Sequence, residues 1–237
     1  MHIFYQPDAR LKYLNEEESR HCAKVLRFSP GDMIQVTDGR GLLSNCRLNK
    51  VDNRKTTYEV VQELKVSLPE HRIHMAICPT RKAERNEWMV EKMMELGVHK
   101  ISFIVSEYTH KESIKRVVNI DRLNRIALSA MKQSQQYYLP EISLHGSFYE
   151  FVDQVSDNQR YIAYVTDQNV PAHLAEIMAK NEPTCILIGP EGDFSSEEID
   201  LAFTKGFLPV SLGPTRLRTE TAAVIACHSA NLVQYLP

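Results

Sequence analysis

Ile186-Leu187-Ile188-Gly189-Pro190-Glu191-Gly192-Asp193-Phe194 is an apolar run that stops at a Gly-Pro-acid-Gly turn, and Ser195-Ser196-Glu197-Glu198 follows with the S-x-x-E pattern of a helix start. A strand that feeds a glycine turn and then a capped helix is a unit of open α/β sheets. Such sheets bind ligands at the carboxyl ends of their strands, where glycine lets backbone amides approach closely. The turn is therefore a binding-loop candidate, although a plain strand-to-helix turn has the same local pattern. It is not a dinucleotide fingerprint, because Pro190 and Glu191 break the G-x-G-x-x-G spacing. Nothing in the chain resembles a phosphate-cradling GK[ST] loop, and an acid inside the turn repels a pyrophosphate.

Downstream the pattern repeats. Leu212-Gly213-Pro214 follows a strand-like run at 208–212 and leads through Thr215-Arg216-Leu217-Arg218 into a helix to about residue 232, with Thr219 as its candidate cap. Two glycine turns at neighbouring strand ends can clasp one ligand between them. Upstream, apolar runs at 73–80, 100–106, 161–167 and 184–188 predict further buried strands. Amphipathic stretches alternate with them. Residues 84–96 place Met89, Met93 and Leu96 on one stripe and stop at Gly97, residues 121–138 end before Pro140, and a third helix runs from Ser195 to about residue 205. Residues 71–237 therefore predict an α/β domain with a mostly parallel sheet.

The first seventy residues read differently. Short extended segments at 33–37, 42–48 and 57–64 are separated by the turn signals Pro30-Gly31, Asp38-Gly39 and Asp52-Asn53. One helical stretch, 16–27, carries Asn15 as N-cap before an acidic first turn. Residues 1–70 thus predict a small β domain. Its His21, Lys24 and Arg27, at positions i, i+3 and i+6, fall close to one helical face.

Composition sets the outer limits. With 237 residues, 43% of them hydrophobic, the chain can bury a core without staples, and its net charge of −2 shows no global basic excess, so a nucleic-acid site has to be a local patch. Five dispersed cysteines, at 22, 46, 78, 185 and 227, form no CxxC pair or zinc ribbon, which fits reduced thiols in a cytoplasmic protein. No run approaches the roughly 18 apolar residues of a membrane helix. His71 and His74 alternate to opposite faces of a strand, which argues against a metal pair, and no metal is expected. Met89, Met93 and Met94 beside Trp88 read as core or dimer packing.

GPEG at 189–192 followed by LGP-x-x-LRTETAA at 212–223 resembles the RsmE family, the 16S ribosomal RNA uridine-N3 methyltransferases of the SPOUT class. His21 with Val25-Leu26-Arg27, Glu95-Leu96-Gly97-Val98 and Pro140-Glu141-Ile142 extend the match over essentially the whole chain. The resemblance implies an RNA-binding PUA-like β-barrel at 1–70 and a SPOUT methyltransferase domain at 71–237 whose C-terminal segment is threaded into a trefoil knot. It implies S-adenosylmethionine as cofactor, a homodimer, and 16S ribosomal RNA or the small ribosomal subunit as partner. Carried over by motif, the cofactor residues are Gly189, Pro190, Glu191, Gly192, Leu212, Gly213, Leu217, Arg218, Thr219 and Thr221. Arg10, His21, Lys24, Arg27, Lys82 and Arg85 are the RNA-binding candidates. Where the family usually shows a glycine after GPEG-type residues this chain has Asp193, and where it shows arginine this chain has Tyr108 and Gln136.

Methyl transfer to uridine N3 requires loss of the imide proton. Arg218 is the candidate for stabilising the resulting anion, with an ion pair to Glu220 as its structural alternative, and Glu220 is the nearest candidate base. Two rivals stand beside this reading: a non-catalytic RNA-binding ribosome assembly factor that keeps the fold, and an unrelated nucleotide-binding α/β enzyme.

Overall fold

Asp38-Gly39-Arg40-Gly41 reverses the chain between two antiparallel strands: the Asp38 carboxylate accepts from the Arg40 and Leu42 amides at 2.7 and 3.0 Å, and both glycines take positive φ. In the computed structural model, which describes residues 2–111, 114–164 and 170–236, this turn belongs to a unit made of Met1–Leu68 and Met131–Leu139. Its strands β1 (Ile3–Tyr5), β2 (Met33–Thr37), β3 (Leu42–Lys50) and β4 (Thr57–Lys65) form one sheet in that order, with β1 parallel to β2 and the other pairs antiparallel. Phe4, Leu14, Ile34, Val36, Leu48 and Tyr58 fill its core. The segment 131–139 grips the turn, as Gly41 donates to the Tyr137 carbonyl at 2.9 Å and Leu139 donates to that of Gly39 at 2.9 Å. Part of the stretch predicted for the second domain thus packs with the first unit.

The helix expected over 16–27 is shorter and mixed. Asn15 caps α1 (Glu16–Arg20) by accepting from Glu18 N at 2.8 Å, but the chain then widens into a π-helical turn, His21–Val25, and Arg27 takes φ +55°. The i, i+3, i+6 alignment of His21, Lys24 and Arg27 is lost for that reason. Lys24 and Arg27 are exposed, whereas the half-buried His21 ring lies 6.0 Å from Phe4.

Pro69–Ala130 and Pro140–Pro237 form the second unit. Its sheet contains β5 (Ile73–Ile77), β6 (Lys100–Ile104), β7 (Glu141–His145), β8 (Gln159–Ala163), β9 (Thr184–Ile188) and β10 (Leu208–Val210), in the order β10-β8-β9-β5-β6-β7 and parallel throughout. Apolar alternation serves two cores. Ile186 and Ile188 of β9 join one with α2 (Ala83–Glu95) and α8 (Thr219–Val233), while Cys185 and Leu187 join the other with α5 (Phe148–Gln154) and α7 (Ser196–Thr204). Of the remaining helices, α3 is Ile114–Val117, α4 Ile120–Gln133 and α6 Leu174–Ile177. All five cysteines are buried and free.

Predicted strands end early where the chain meets the loops: β5 stops before Pro79, which has no amide to donate, and β10 stops before the Ser211–Gly213 turn. Residues 165–167 of the predicted 161–167 strand lie outside the described residues. The helix expected over 121–138 ends at Gln133, since Gln135 is left-handed at φ +57°. Gly97, at φ +84°, terminates α2 as expected. β1, β7 and α5 had no clear local pattern.

Candidate active site

The chain leaves β5 in one direction towards β7 and returns on the other side through β8 and β9, so the strand order reverses between β9 and β5. Carboxyl ends of strands near such a reversal form a crevice. There the ends of β8, β9 and β10, with the start of α8, enclose a cavity of about 530 Å³.

Local chemistry shapes its wall. β9 is fully buried up to Gly189, whose carbonyl accepts from Thr219 Oγ1 at 3.1 Å, tying the strand end to the first residue of α8. Thr219 is thus inside the helix. The N-cap is Arg218, which makes no side-chain cap bond. A Cβ on Gly189 would lie 3.1 Å from the Phe194 ring. Asp193 N donates to Pro190 O at 3.0 Å and closes the turn. Asp193 holds φ +67°, the left-handed conformation that favours glycine, and its Oδ1 accepts from Phe194 N at 2.9 Å. Ser195 and Glu198 form the expected capping box, with bonds of 3.3 and 3.1 Å. Gly213, at φ +129°, has nothing within 4 Å of a would-be Cβ.

Gly189, Pro190, Glu191, Leu212, Gly213, Leu217, Arg218 and Thr219 all line this cavity. Gly192 does not. It faces a second pocket of about 350 Å³ on the other side of the turn. Thr221 is also absent from the lining, because α8 meets the cavity through Thr219 and Ala222 and turns Thr221 off that face. The sequence reading does not place Tyr164 and Ser211 in the site, because it puts both inside strands at 161–167 and 208–212; β8 and β10 end at Ala163 and Val210, which leaves these two residues at the strand ends that line the cavity.

Charges at the cavity edge pair differently from expectation. Arg85, predicted to face RNA phosphates, places Nη1 3.3 Å from Glu220 Oε1 and 3.8 Å from Glu191 Oε1. Arg81 Nε lies 3.5 Å from Glu191 Oε2. Glu220 is only 8% exposed, and its Oε2 is buried without a hydrogen-bond partner among the described residues. Arg218 is exposed and makes no ion pair within 4 Å among them, so the Arg218–Glu220 alternative is not what forms. Lys82 is exposed at the N-cap of α2. In the first unit, Arg10 spends its fork on Asp8, with bonds of 2.9 and 2.8 Å that hold the Asp8 carboxyl down to about 2. His74, Asp157 and Cys185 are the group of three potential metal ligands among the described residues, yet both His74 ring nitrogens are taken, by Asp157 at 3.0 Å and Ser102 at 2.9 Å.

Comparison with known proteins follows the same division. Residues 67–231 match the family model of the RNA methyltransferase domain, and residues 14–57 match that of the RNA methyltransferase PUA domain. Ribosomal RNA small subunit methyltransferase E of Aquifex aeolicus is 30% identical over 94% of this chain and 96% of its own length. A crystal structure from Porphyromonas gingivalis superposes with a TM-score of 0.91 at 36% identity, covering 99% of each chain. Ribosomal RNA small subunit methyltransferase E of Neisseria gonorrhoeae, solved bound to S-adenosyl methionine, gives a TM-score of 0.83 at 27% identity over 96% of this chain and 95% of that one. Matched along both units and over nearly its full length, the chain belongs to the RsmE family of RNA methyltransferases.

Proposed function

We propose that the protein methylates N3 of one uridine in 16S ribosomal RNA, with S-adenosylmethionine as methyl donor. The cavity carries the reading, because its features suit that donor. At about 530 Å³ it has small-molecule size. A side chain at Gly189 would strike Phe194, so backbone is left bare there. Leu212, Leu217 and Ala222 offer apolar surface for an adenine ring. Gly189, Pro190, Leu212, Gly213, Leu217 and Thr219 would hold the donor. Bound there, S-adenosylmethionine supplies an electrophilic methyl group.

Nitrogen N3 of uracil attacks as its anion, with charge spread onto the flanking carbonyl oxygens. Arg218 stands exposed at the cavity with no competing ion pair among the described residues, and its planar fork suits two such oxygens. Glu220 we assign to positioning rather than proton removal. One of its oxygens holds Arg85 and the other is buried. A structural neighbour solved with S-adenosyl methionine disfavours the non-catalytic assembly factor. The finer parts of the reading are that the first unit binds RNA with Lys24 as a phosphate contact, that Lys82 of the second unit is another such contact, that the C-terminal segment forms the trefoil knot, and that two copies pair in the cytoplasm. The match to a PUA domain model supports the first. No helix among the described residues is long and apolar enough to cross a membrane. Mass mapping of 16S ribosomal RNA from cells lacking the gene tests the function: one N3-methyluridine should disappear and return with the wild-type gene. An unchanged nucleoside map refutes it.

A further inference from the structure

Between the loops that follow β9, β5 and β6, three neighbours in the sheet, lies the second pocket of about 350 Å³. It shares Pro190 and Glu191 with the larger cavity, so the 189–193 turn is a common wall. Tyr108 forms one side and is 52% exposed. Gly192 lies directly beside it and presents backbone alone: a Cβ there would sit 3.6 Å from Tyr108 Cβ and 3.8 Å from its Cγ.

An exposed tyrosine adds little to folding, yet its loop is braced by buried groups. Ser106 N donates to Thr109 Oγ1 at 3.0 Å, the two hydroxyls lie 2.9 Å apart, and Glu107 N donates to the buried Glu198 at 2.9 Å. The facing loop is braced too, since buried Asn86 accepts from Thr80 N at 2.9 Å and donates to Thr80 O at 3.1 Å. A rigidly mounted, half-exposed aromatic beside a bare glycine turn offers a flat stacking face. The pocket lining includes Arg81, whose guanidinium suits phosphate; the Arg81 side chain is 62% exposed and, among the described residues, its ion pair is with Glu191 at the surface.

We propose that this pocket is a subsite for an unstacked nucleobase next to the reacting uridine, which stacks on Tyr108 while Arg81 meets the adjoining phosphate. The assignment rests on the methyltransferase reading above. The reacting base has to reach the larger cavity and Arg218, so the pocket across the turn serves its neighbour. Stacking on an aromatic ring tolerates any base and adds affinity without charge, whereas a phosphate contact is salt-dependent.

The probe is a fluorescently labelled eight-nucleotide oligouridylate, titrated against the full chain at several salt concentrations. Tyr108→Ala should weaken binding by about 5- to 100-fold with an unchanged salt slope, and Tyr108→Phe should bind almost as wild type. Arg81→Gln should reduce the slope by about one. Gly192→Val should act like Tyr108→Ala, because its methyl groups would cover the Tyr108 ring. Tyr108→Ala, Tyr108→Phe and Arg81→Gln should bind S-adenosylmethionine as wild type in calorimetry, and on small subunits from cells lacking the gene Tyr108→Ala should raise KM more than it lowers kcat. The proposal is overturned if wild type methylates those subunits yet fails to bind the oligomer, or if Tyr108→Ala and Gly192→Val bind it as wild type does. A protein that binds the oligomer through Tyr108 but neither binds S-adenosylmethionine nor methylates refutes the methyltransferase reading instead and leaves the base subsite standing.

Discussion

Arg218 and Asp193 show how much one side chain decides within a few ångströms of the cavity. If Arg218 stabilises the uridine anion, Arg218→Ala should lose on the order of a hundredfold or more in kcat, the scale of losing one oxyanion-type donor. Lysine should restore only part, because a point charge cannot match a planar fork at two oxygens. Raising the pH should narrow the deficit as the imide proton is lost without help. Normal single-turnover chemistry with weakened S-adenosylmethionine binding would make Arg218 a loop brace instead. At Asp193 the left-handed φ of +67° costs about 1 kcal/mol for a residue with a Cβ, partly offset by the carboxylate bond to Phe194 N. Asp193→Gly should therefore leave stability within about 1 kcal/mol of wild type in urea unfolding. Asp193→Ala, which keeps the strain and drops the bond, should lose about 1 to 2 kcal/mol; equal midpoints for the two variants would show that the turn does not depend on this residue.

Among the elements, the β2–β3 hairpin is tightly constrained at its turn. A Cβ on Gly41 would fall 2.2 Å from Tyr138 Oη and 2.7 Å from the Val66 carbonyl, and φ is +96°. Tyr138 Oη also donates to that carbonyl at 2.7 Å. Gly41→Ala should thus displace the 131–139 segment and cost about 3 kcal/mol or more, with enhanced proteolysis in that segment as the readout. Gly31→Ala offers the control: its φ is +95° but nothing lies within 4 Å of the added methyl, so only the backbone strain of about 1 to 2 kcal/mol applies. Matching losses for the two would mean that strain alone, without the steric clash, governs the hairpin.

Across the second unit, acid should act through buried groups at the amino ends of the strands. Burial, with His71 and Arg72 nearby, lowers His99 to about 4, and its Nδ1 accepts from Ile73 N at 3.2 Å. The unfolded chain protonates this histidine near 6.5 and the native one only near 4, so stability is present at neutral pH and drains away between those values, by up to about 3 kcal/mol. Burial alone would raise Asp157, but the hydrogen bond and charge of His74, with Lys100, hold it below the usual carboxylate range. Its contribution likewise is present above the unfolded carboxylate value and is lost as acid protonates the native carboxyl. His99→Asn, which retains an acceptor for Ile73 N, should flatten the decline of the urea midpoint between pH 7 and pH 5; a slope equal to wild type would remove His99 from the account.

Most of the secondary structure and the cavity's glycine turns were legible in the residues, because their causes are local. Asn15, Gly97 and the Ser195–Glu198 box act within one helical turn, and the apolar Cys185–Ile188 run reads as a strand buried on both faces. Family motifs added the cofactor and the substrate class. What only the tertiary structure decided are contacts between residues far apart in sequence. Arg85 meets Glu220 across 135 positions rather than an RNA phosphate, Thr219 bonds the Gly189 carbonyl instead of capping its helix, and 131–139 joins the first unit. Gly192 falls on the Tyr108 side of the turn, at the outer bend of the reversal that the Asp193–Pro190 hydrogen bond closes. Local propensity sets which backbone shape each segment takes, whereas the strand order β10-β8-β9-β5-β6-β7 sets which loops become neighbours, and no short-range signal encodes that order.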